Sequence, residues 1–265
     1  MVRSHIIASM LLALSVSWFA GCDTRNRTIH DSFAITASDL AEMTAPLPEE
    51  IRRDIGVRSW FFLELVDDIL AEPAPFLVLV DKYHPLPAEY TPPDLVSLDD
   101  YRVTAYRELL ISRSVMPDLL SMVEAARIDD VELAISSTYR SYEYQSEVYA
   151  RHVSQYGREQ ADRESARPGK SQHQLGTTID FGSVSDEFAD TDAGRWLIRR
   201  AWEFGFSLSY PNGYEELTGY RHEVWHYRYI GRTASRLEQE FFGSVQQYML
   251  EFLHANRSGL QAANE

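Results

Sequence analysis

A single cysteine, Cys22, is all that this chain of 265 residues contains. No internal disulfide can form, and no thiolate is available elsewhere for catalysis or metal binding. Positive charge is also scarce: 25 Lys and Arg stand against 40 Asp and Glu, a net charge of −15. A nucleic-acid binder needs a basic face, so this balance argues against one. Beyond the N-terminal segment no apolar run is long enough to span a bilayer, and no internal repeat is visible. What is present is ample core material. A composition 45% hydrophobic and 12% aromatic excludes global disorder, and the length fits one large domain with extensions or two small ones.

The first residues read as a targeting segment. Arg3 and His5 give a weakly basic start, Ile6 to Phe19 is an apolar stretch too short for a comfortable membrane span, and Phe19-Ala20-Gly21-Cys22 follows. Small residues leading into a Cys resemble the lipobox of bacterial lipoproteins. That resemblance implies a signal peptide over 1–22, lipidation of Cys22, and a domain anchored at a membrane surface of the bacterial cell envelope, outside the cytoplasm.

After Cys22 the polar, Thr- and Ser-rich stretch 23–48 reads as a tether with a short helix near Ser38 to Met43. Ile51 to Glu72 has helical spacing, closed by Pro73 and Pro75. Phe76-Leu-Val-Leu-Val80 predicts a buried strand, and the prolines between 85 and 93 predict an irregular surface wrap. Helices are expected over Tyr101–Arg113, Met116–Arg127 (with Pro117 in its first turn), Tyr142–Tyr156, Glu159–Ala166, Gly194–Phe204 and Thr233–His254. Short strands are expected at Val131–Ile135, Leu175–Phe181 and Phe206–Tyr210. Strands and helices mix without strict βαβ alternation, which indicates an α+β fold: a small antiparallel sheet flanked by helices, with an N-terminal helical extension. The expected units are 1–22 (signal peptide), 23–72 (tether and extension), 73–256 (main domain) and 257–265 (frayed tail).

The chemistry concentrates in Thr218 to Ile230, where His222-Glu223-Val224-Trp225-His226 spells H-E-x-x-H. On a helix, His222 and His226 would share a zinc ion with Glu223 as general base. The following run, Trp225 to Ile230, alternates and is aromatic-rich, which favours a strand. In a strand, positions 222 and 226 stand about 13 Å apart and cannot hold one ion without a bend. Other donors are available upstream. His173 and Asp180, in Ser171-Gln-His-Gln-Leu-Gly-Thr-Thr-Ile-Asp180, can join His226 in a two-His, one-Asp set, with Glu223 beside it as base. Gly176 between them would permit a bend or a close backbone approach. In Ser137-Thr-Tyr-Arg-Ser141, Arg140 offers a planar fork for a carboxylate or an oxyanion. Spacing alone leaves the two ligand sets open.

Three ordered blocks resemble the VanY-type D-alanyl-D-alanine carboxypeptidases, within the wider group that also holds lysostaphin and the hedgehog fold. They are Ser137-Thr-Tyr-Arg-Ser-Tyr-Glu-Tyr-Gln145, the S-x-H-x-x-G-x-x-x-D pattern of Ser171 to Asp180, and the E-x-W-H pattern of Glu223 to His226. The resemblance extends over about Leu77 to Ile230. It implies one Zn²⁺ per chain held by His173, Asp180 and His226. It implies Glu223 as the general base, Arg140 as stabiliser of the oxyanion or holder of the terminal carboxylate, and Gln145 and Ser171 lining the peptide pocket. His222 is then a loop or supporting residue. The expected activity is removal of the C-terminal D-Ala from peptidoglycan stem peptides. The alternatives are an L,D-carboxypeptidase or an endopeptidase using the same site, a domain that only binds cell-wall peptide, and the helical H-E-x-x-H protease. Gln172, where many relatives carry Glu, Thr178 in place of a common Ala, and Val224 in place of Pro depart from the pattern without removing a ligand or the base.

Overall fold

The computed structural model describes residues 28–71, 75–101, 103–106 and 108–264. The expected signal peptide and Cys22 lie outside the described residues. The N-terminal part is more structured than a tether. Strands β1 (Thr28–His30) and β2 (Phe33–Thr36) form an antiparallel hairpin, because Phe33 and Ile35 alternate with more exposed neighbours and bury one face. Thr36 then caps α1 (Ala37–Thr44) in a reciprocal capping box with Asp39. The expected helix over 51–72 is two helices, α2 (Glu49–Val57) and α3 (Ser59–Ala71).

The predicted strand at Phe76–Val80 is absent. A 3-10 turn at Pro75–Leu77 leads into irregular chain. The carbonyls of Phe76 and Val78 are taken by the guanidinium of Arg228, each at 2.7 Å, so an inserted side chain satisfies groups that a neighbouring strand would otherwise bind. The expected helix over 101–113 is also absent among the described residues. Strand β3 (Leu95–Ser97) pairs with β4 (Leu110–Ser112), and Thr104 and Tyr106 exchange backbone hydrogen bonds with Ile135. Sheet pairing with distant chain has overridden a helical pattern.

The next elements are α4 (Met116–Ile128), β5 (Ile135–Ser137), α5 (Tyr142–Tyr156), α6 (Arg158–Glu164), β6 (Thr178–Phe181), α7 (Asp192–Arg200), β7 (Phe206–Leu208), a short α8 (Glu215–Thr218) and β8 (His226–Tyr229). Most follow the sequence, but the strand expected at Val131–Ile135 forms instead at Ile135–Ser137, because the Val131 N–H closes the end of the preceding helix. Leu175 ends a 3-10 turn rather than starting a strand, and the short helix at Glu215–Thr218 is not among the expected elements. Ser141 caps α5 and Gly157, at φ +80°, ends it. The predicted C-terminal helix breaks into α9 (Arg232–Phe241) and α10 (Gln246–Asn264), because Gly243 and Ser244 both take positive φ. The expected frayed tail is helical: Leu260 is fully buried and Asn264 donates to Asp67 at 2.7 Å.

The central sheet is antiparallel in the order β5-β6-β8-β7. One face carries Ile179, Phe181, Tyr227 and Phe206 into a core completed by Leu119, Met122 and Trp196 of α4 and α7. A second core joins the N-terminal helices to α9 and α10. There Phe62 is fully buried and makes edge contacts with Phe241 and Phe252 at ring distances of 5.2 and 5.5 Å. Losing such a ring costs about 3–5 kcal/mol, so the extension is bound firmly to the main domain. Side chains alternate along a strand, so Asp180 and His226 project from the sheet face opposite Ile179 and Tyr227.

Candidate active site

Sheet register brings the first two candidate ligands together. Asp180 of β6 and His226 of β8 are direct cross-strand partners, and Asp180 Oδ1 lies 3.1 Å from His226 Nδ1. The third, His173, comes from a 3-10 turn at Gln172–Leu175 that Ser171 caps by accepting the His173 backbone N–H at 3.3 Å. That turn ends at Gly176 with φ +70°, and a Cβ there would meet Pro92 Cγ at 2.9 Å. Glycine is therefore required both for the left-handed backbone and for the close approach. His173 Nε2 faces Asp180 Oδ2 at 3.2 Å. Donor atoms of His173, Asp180 and His226 all lie within 4.8 Å of one another, and all three residues are buried.

These atoms fit a cation better than they fit one another. Nδ1 of His173 sits 2.6 Å from the Thr138 carbonyl, and since a carbonyl only accepts, that nitrogen carries the proton. Nε2 therefore presents a lone pair to a carboxylate oxygen, acceptor against acceptor. Burial, reinforced by Arg140, lowers His173 to about 4, so the imidazole is neutral at physiological pH. Nε2 of His173 and Oδ1 of Asp180 are buried without a hydrogen-bond donor. Two imidazole nitrogens and one carboxylate form a donor set suited to Zn²⁺ with a position left open.

Glu223 lies beside this cluster. Residues 222–225 are not helical. A turn closed by the hydrogen bond from His226 N–H to Glu223 O at 3.1 Å sets the two side chains together, with Glu223 Oε2 3.5 Å from His226 Nδ1. Burial, then the charge of Asp180, pushes Glu223 up to about 8, with Arg140 pulling the other way. His222 faces elsewhere. Its Nδ1 lies 3.0 Å from the Tyr210 carbonyl, and it belongs neither to the cluster nor to the cleft lining.

Above the ligands opens a cleft of about 450 Å³ lined by Arg140, Gln145, Ser171, His173, Asp180, Glu223 and His226, among others. Arg140 is 17% exposed. It donates to Gln145 Oε1 at 3.1 Å and approaches Asp180 Oδ2 at 3.5 Å, leaving its Nε without a partner. Gln145 in turn donates to the Ala166 carbonyl at 2.7 Å, tying Arg140 to the opposite rim. All seven residues singled out in the sequence as ligands, base or peptide contacts thus meet at one place. Others were not singled out. Tyr210 packs its ring 4.7 Å from that of His226 and is raised well above its ordinary value by burial. His152, assigned no role from the sequence, lines the cleft with Tyr144, Val148 and Tyr156. Their four-residue spacing on α5 is the signal that places them on one helix face.

With this geometry in hand, the comparisons with known proteins are decisive. A family model described as "VanY: D-alanyl-D-alanine carboxypeptidase" matches residues 108–232. The YodJ protein of Bacillus subtilis (strain 168) is 30% identical over 259 residues, which is 91% of this chain and 94% of that protein. The chain belongs to the VanY family of D-alanyl-D-alanine carboxypeptidases. Solved VanY-family structures agree. The LdcB LD-carboxypeptidase superposes with a TM-score of 0.60 at 32% identity, covering 65% of this chain and 84% of that one. A mutant of the vancomycin-resistance D,D-pentapeptidase VanY, in complex with Zn(II), gives a TM-score of 0.57 at 30% identity, covering 66% and 99%. The α+β fold with small antiparallel sheets is that of the VanY peptidases, and this chain is a carboxypeptidase of that family.

Proposed function

We propose that the chain is a zinc-dependent D-alanyl-D-alanine carboxypeptidase that removes the terminal D-Ala from peptidoglycan stem peptides, with one Zn²⁺ held by His173, Asp180 and His226. The observation that carries this reading is the placement of Glu223, a buried carboxyl next to His226 but outside the ligand set. When bound, zinc supplies Lewis acidity that polarises a carbonyl and makes water acidic enough to ionise near neutral pH. Glu223 accepts a proton from the attacking water and delivers it to the leaving amine. Its raised affinity for a proton suits this exchange, and a nearby dication draws the value back toward neutrality. Arg140, mostly buried and held by Gln145, offers N–H groups to the oxygen that gains charge or to the terminal carboxylate. Its attraction is strengthened by the low dielectric around it. Gln145 and Ser171 shape the peptide pocket.

A second reading is removal of D-Ala from tetrapeptide stems, favoured by the likeness to the LD-carboxypeptidase LdcB. Incubating the purified protein with pentapeptide, tetrapeptide and cross-linked muropeptides, with products followed by mass, separates the two. Loss of one D-Ala from the pentapeptide alone supports the first, and loss from the tetrapeptide alone supports the second. Binding without cleavage refutes both.

We further propose that Cys22 carries a lipid that holds the enzyme at a membrane of the bacterial cell envelope, where its substrate lies. The support is the small-residue sequence leading to this sole cysteine. Among the described residues, no helix is long and apolar enough to cross a membrane. Cys22→Ala should release the protein from the membrane fraction; unchanged sedimentation would refute the anchor.

A further inference from the structure

Behind His226 lies a group of buried polar side chains that the chemistry above does not use. Gln172, Ser209 and Gln246 are 3%, 3% and 1% exposed. They form a closed ring. Gln246 Nε2 donates to Ser209 Oγ at 3.4 Å, Ser209 Oγ donates to Gln172 Oε1 at 2.7 Å, and Gln172 Nε2 donates to Gln246 Oε1 at 3.3 Å. The three come from separate parts of the chain: the turn that carries His173, the segment after β7, and the first residue of α10. Each such group left unpaired would be destabilising inside the protein, so closing the ring removes several penalties at once and fixes how each amide is turned.

The Ser209 backbone N–H donates to the His226 carbonyl at 3.2 Å, and one side-chain contact leads from the ring to the metal ligands. Gln172 Oε1 lies 3.4 Å from Nε2 of His226. An amide oxygen only accepts, so Nε2 must carry the proton. The lone pair of His226 then sits on Nδ1, the nitrogen that faces Asp180 Oδ1 at 3.1 Å. We propose that Gln172, held by Ser209 and Gln246, is a positioning residue that keeps His226 in its Nε2–H form with Nδ1 aimed at the metal, which makes the start of α10 part of the support of the metal centre. The inference rests on the zinc reading above. An amide at 172 closes the ring with Gln246 turned as it stands. A carboxylate there would still accept from His226 and Ser209, and Gln246 would turn its amide to offer Nε2 to the second oxygen.

The test measures zinc affinity by chelator competition, and the visible spectrum of the cobalt-substituted protein, for the wild type, Gln172→Met, Gln172→Glu, Ser209→Ala and Gln246→Met. Methionine keeps the volume of glutamine and removes the acceptor. Gln172→Met should bind zinc about 10–100-fold more weakly and show altered cobalt bands. Gln172→Glu, which keeps an acceptor toward His226, should recover most of that affinity. Ser209→Ala and Gln246→Met should each weaken zinc by a smaller factor, about 3–10-fold. Zinc affinity within twofold of wild type in Gln172→Met, with unchanged cobalt bands, would overturn the proposal. Should that variant not fold, wild-type affinity in both Ser209→Ala and Gln246→Met would overturn it equally. A wild-type chain that takes up no zinc would instead sink the metal reading itself.

Discussion

The two ligand sets that the sequence allows make opposite predictions for two alanine substitutions. Asp180 supplies one of three donors that lie within 4.8 Å of one another, and it is the residue placed between both imidazoles, at 3.2 Å from His173 and 3.1 Å from His226. Binding of structural zinc by four ligands is worth roughly 10–16 kcal/mol, or about 3 kcal/mol per ligand. Asp180→Ala should therefore weaken zinc by about 100–1,000-fold and yield protein without metal after dialysis against a mild chelator. Some of that loss will be tempered because removing the carboxylate also relieves the acceptor-to-acceptor contact with His173 in the metal-free state. His222→Ala removes only an imidazole whose Nδ1 meets the Tyr210 carbonyl at 3.0 Å. It should retain one zinc per chain with affinity within a few-fold of wild type. Metal content by mass spectrometry after equilibrium dialysis reads both directly. Zinc retained by the Asp180 variant and lost by the His222 variant would refute the geometry and restore the helical motif.

Other substitutions separate the remaining roles. Glu223→Gln should keep zinc but lower kcat by about 10²–10⁴-fold, measured by D-Ala release; near-normal turnover would exclude Glu223 as base. Arg140→Lys preserves charge but not the planar fork, and should lower kcat/KM by about 10²-fold with little change in zinc content. Glu238 gives a pH test away from the cleft. Burial pushes it from 4.5 up to about 8 against a single opposing hydrogen bond from Ser207. The folded protein therefore keeps a proton that the unfolded chain releases. This stabilisation is complete below pH 4.5 and is lost as pH rises through about 8. Glu238→Gln should flatten the fall in urea-unfolding stability between pH 4.5 and 8 by a few kcal/mol, about 5 kcal/mol at most, and an unchanged slope would refute it.

Much of the site was legible because its residues sit in short blocks with fixed internal spacing. Ser171 to Asp180 places a cap, a ligand, a left-handed glycine and a second ligand within one turn and one strand. Glu223 and His226 share a turn that the aromatic alternation after them foretold as the start of a strand rather than the middle of a helix. The α5 boundaries were legible for the same reason, since Ser141 is a local start signal and Gly157 a local stop signal. Less legible were segments whose partners lie far away. The apolar run Phe76–Val80 has every local mark of a strand, yet its carbonyls are claimed by the guanidinium of Arg228, a residue with no sequence signal pointing there. The stretch after Tyr101 reads as helix, but pairing with Ile135 wins.

The sequence by itself determined the chemistry: which side chains can bind a cation, which carboxyl can carry a proton, and the order in which they occur. Spacing within short blocks nominated these side chains, because caps, turns and strand alternation act over a few residues, and the resemblance to the VanY family chose between the two ligand sets. Only the tertiary structure decided that Asp180 and His226 are cross-strand partners, that His222 is excluded, and that the N-terminal extension and α10 share a core with α9. It also decided that the amide of Gln172 is braced by Ser209 and Gln246. Those outcomes depend on which distant surfaces bury one another and which buried polar groups find partners. That competition is settled across the whole chain at once, and no short window of sequence contains it.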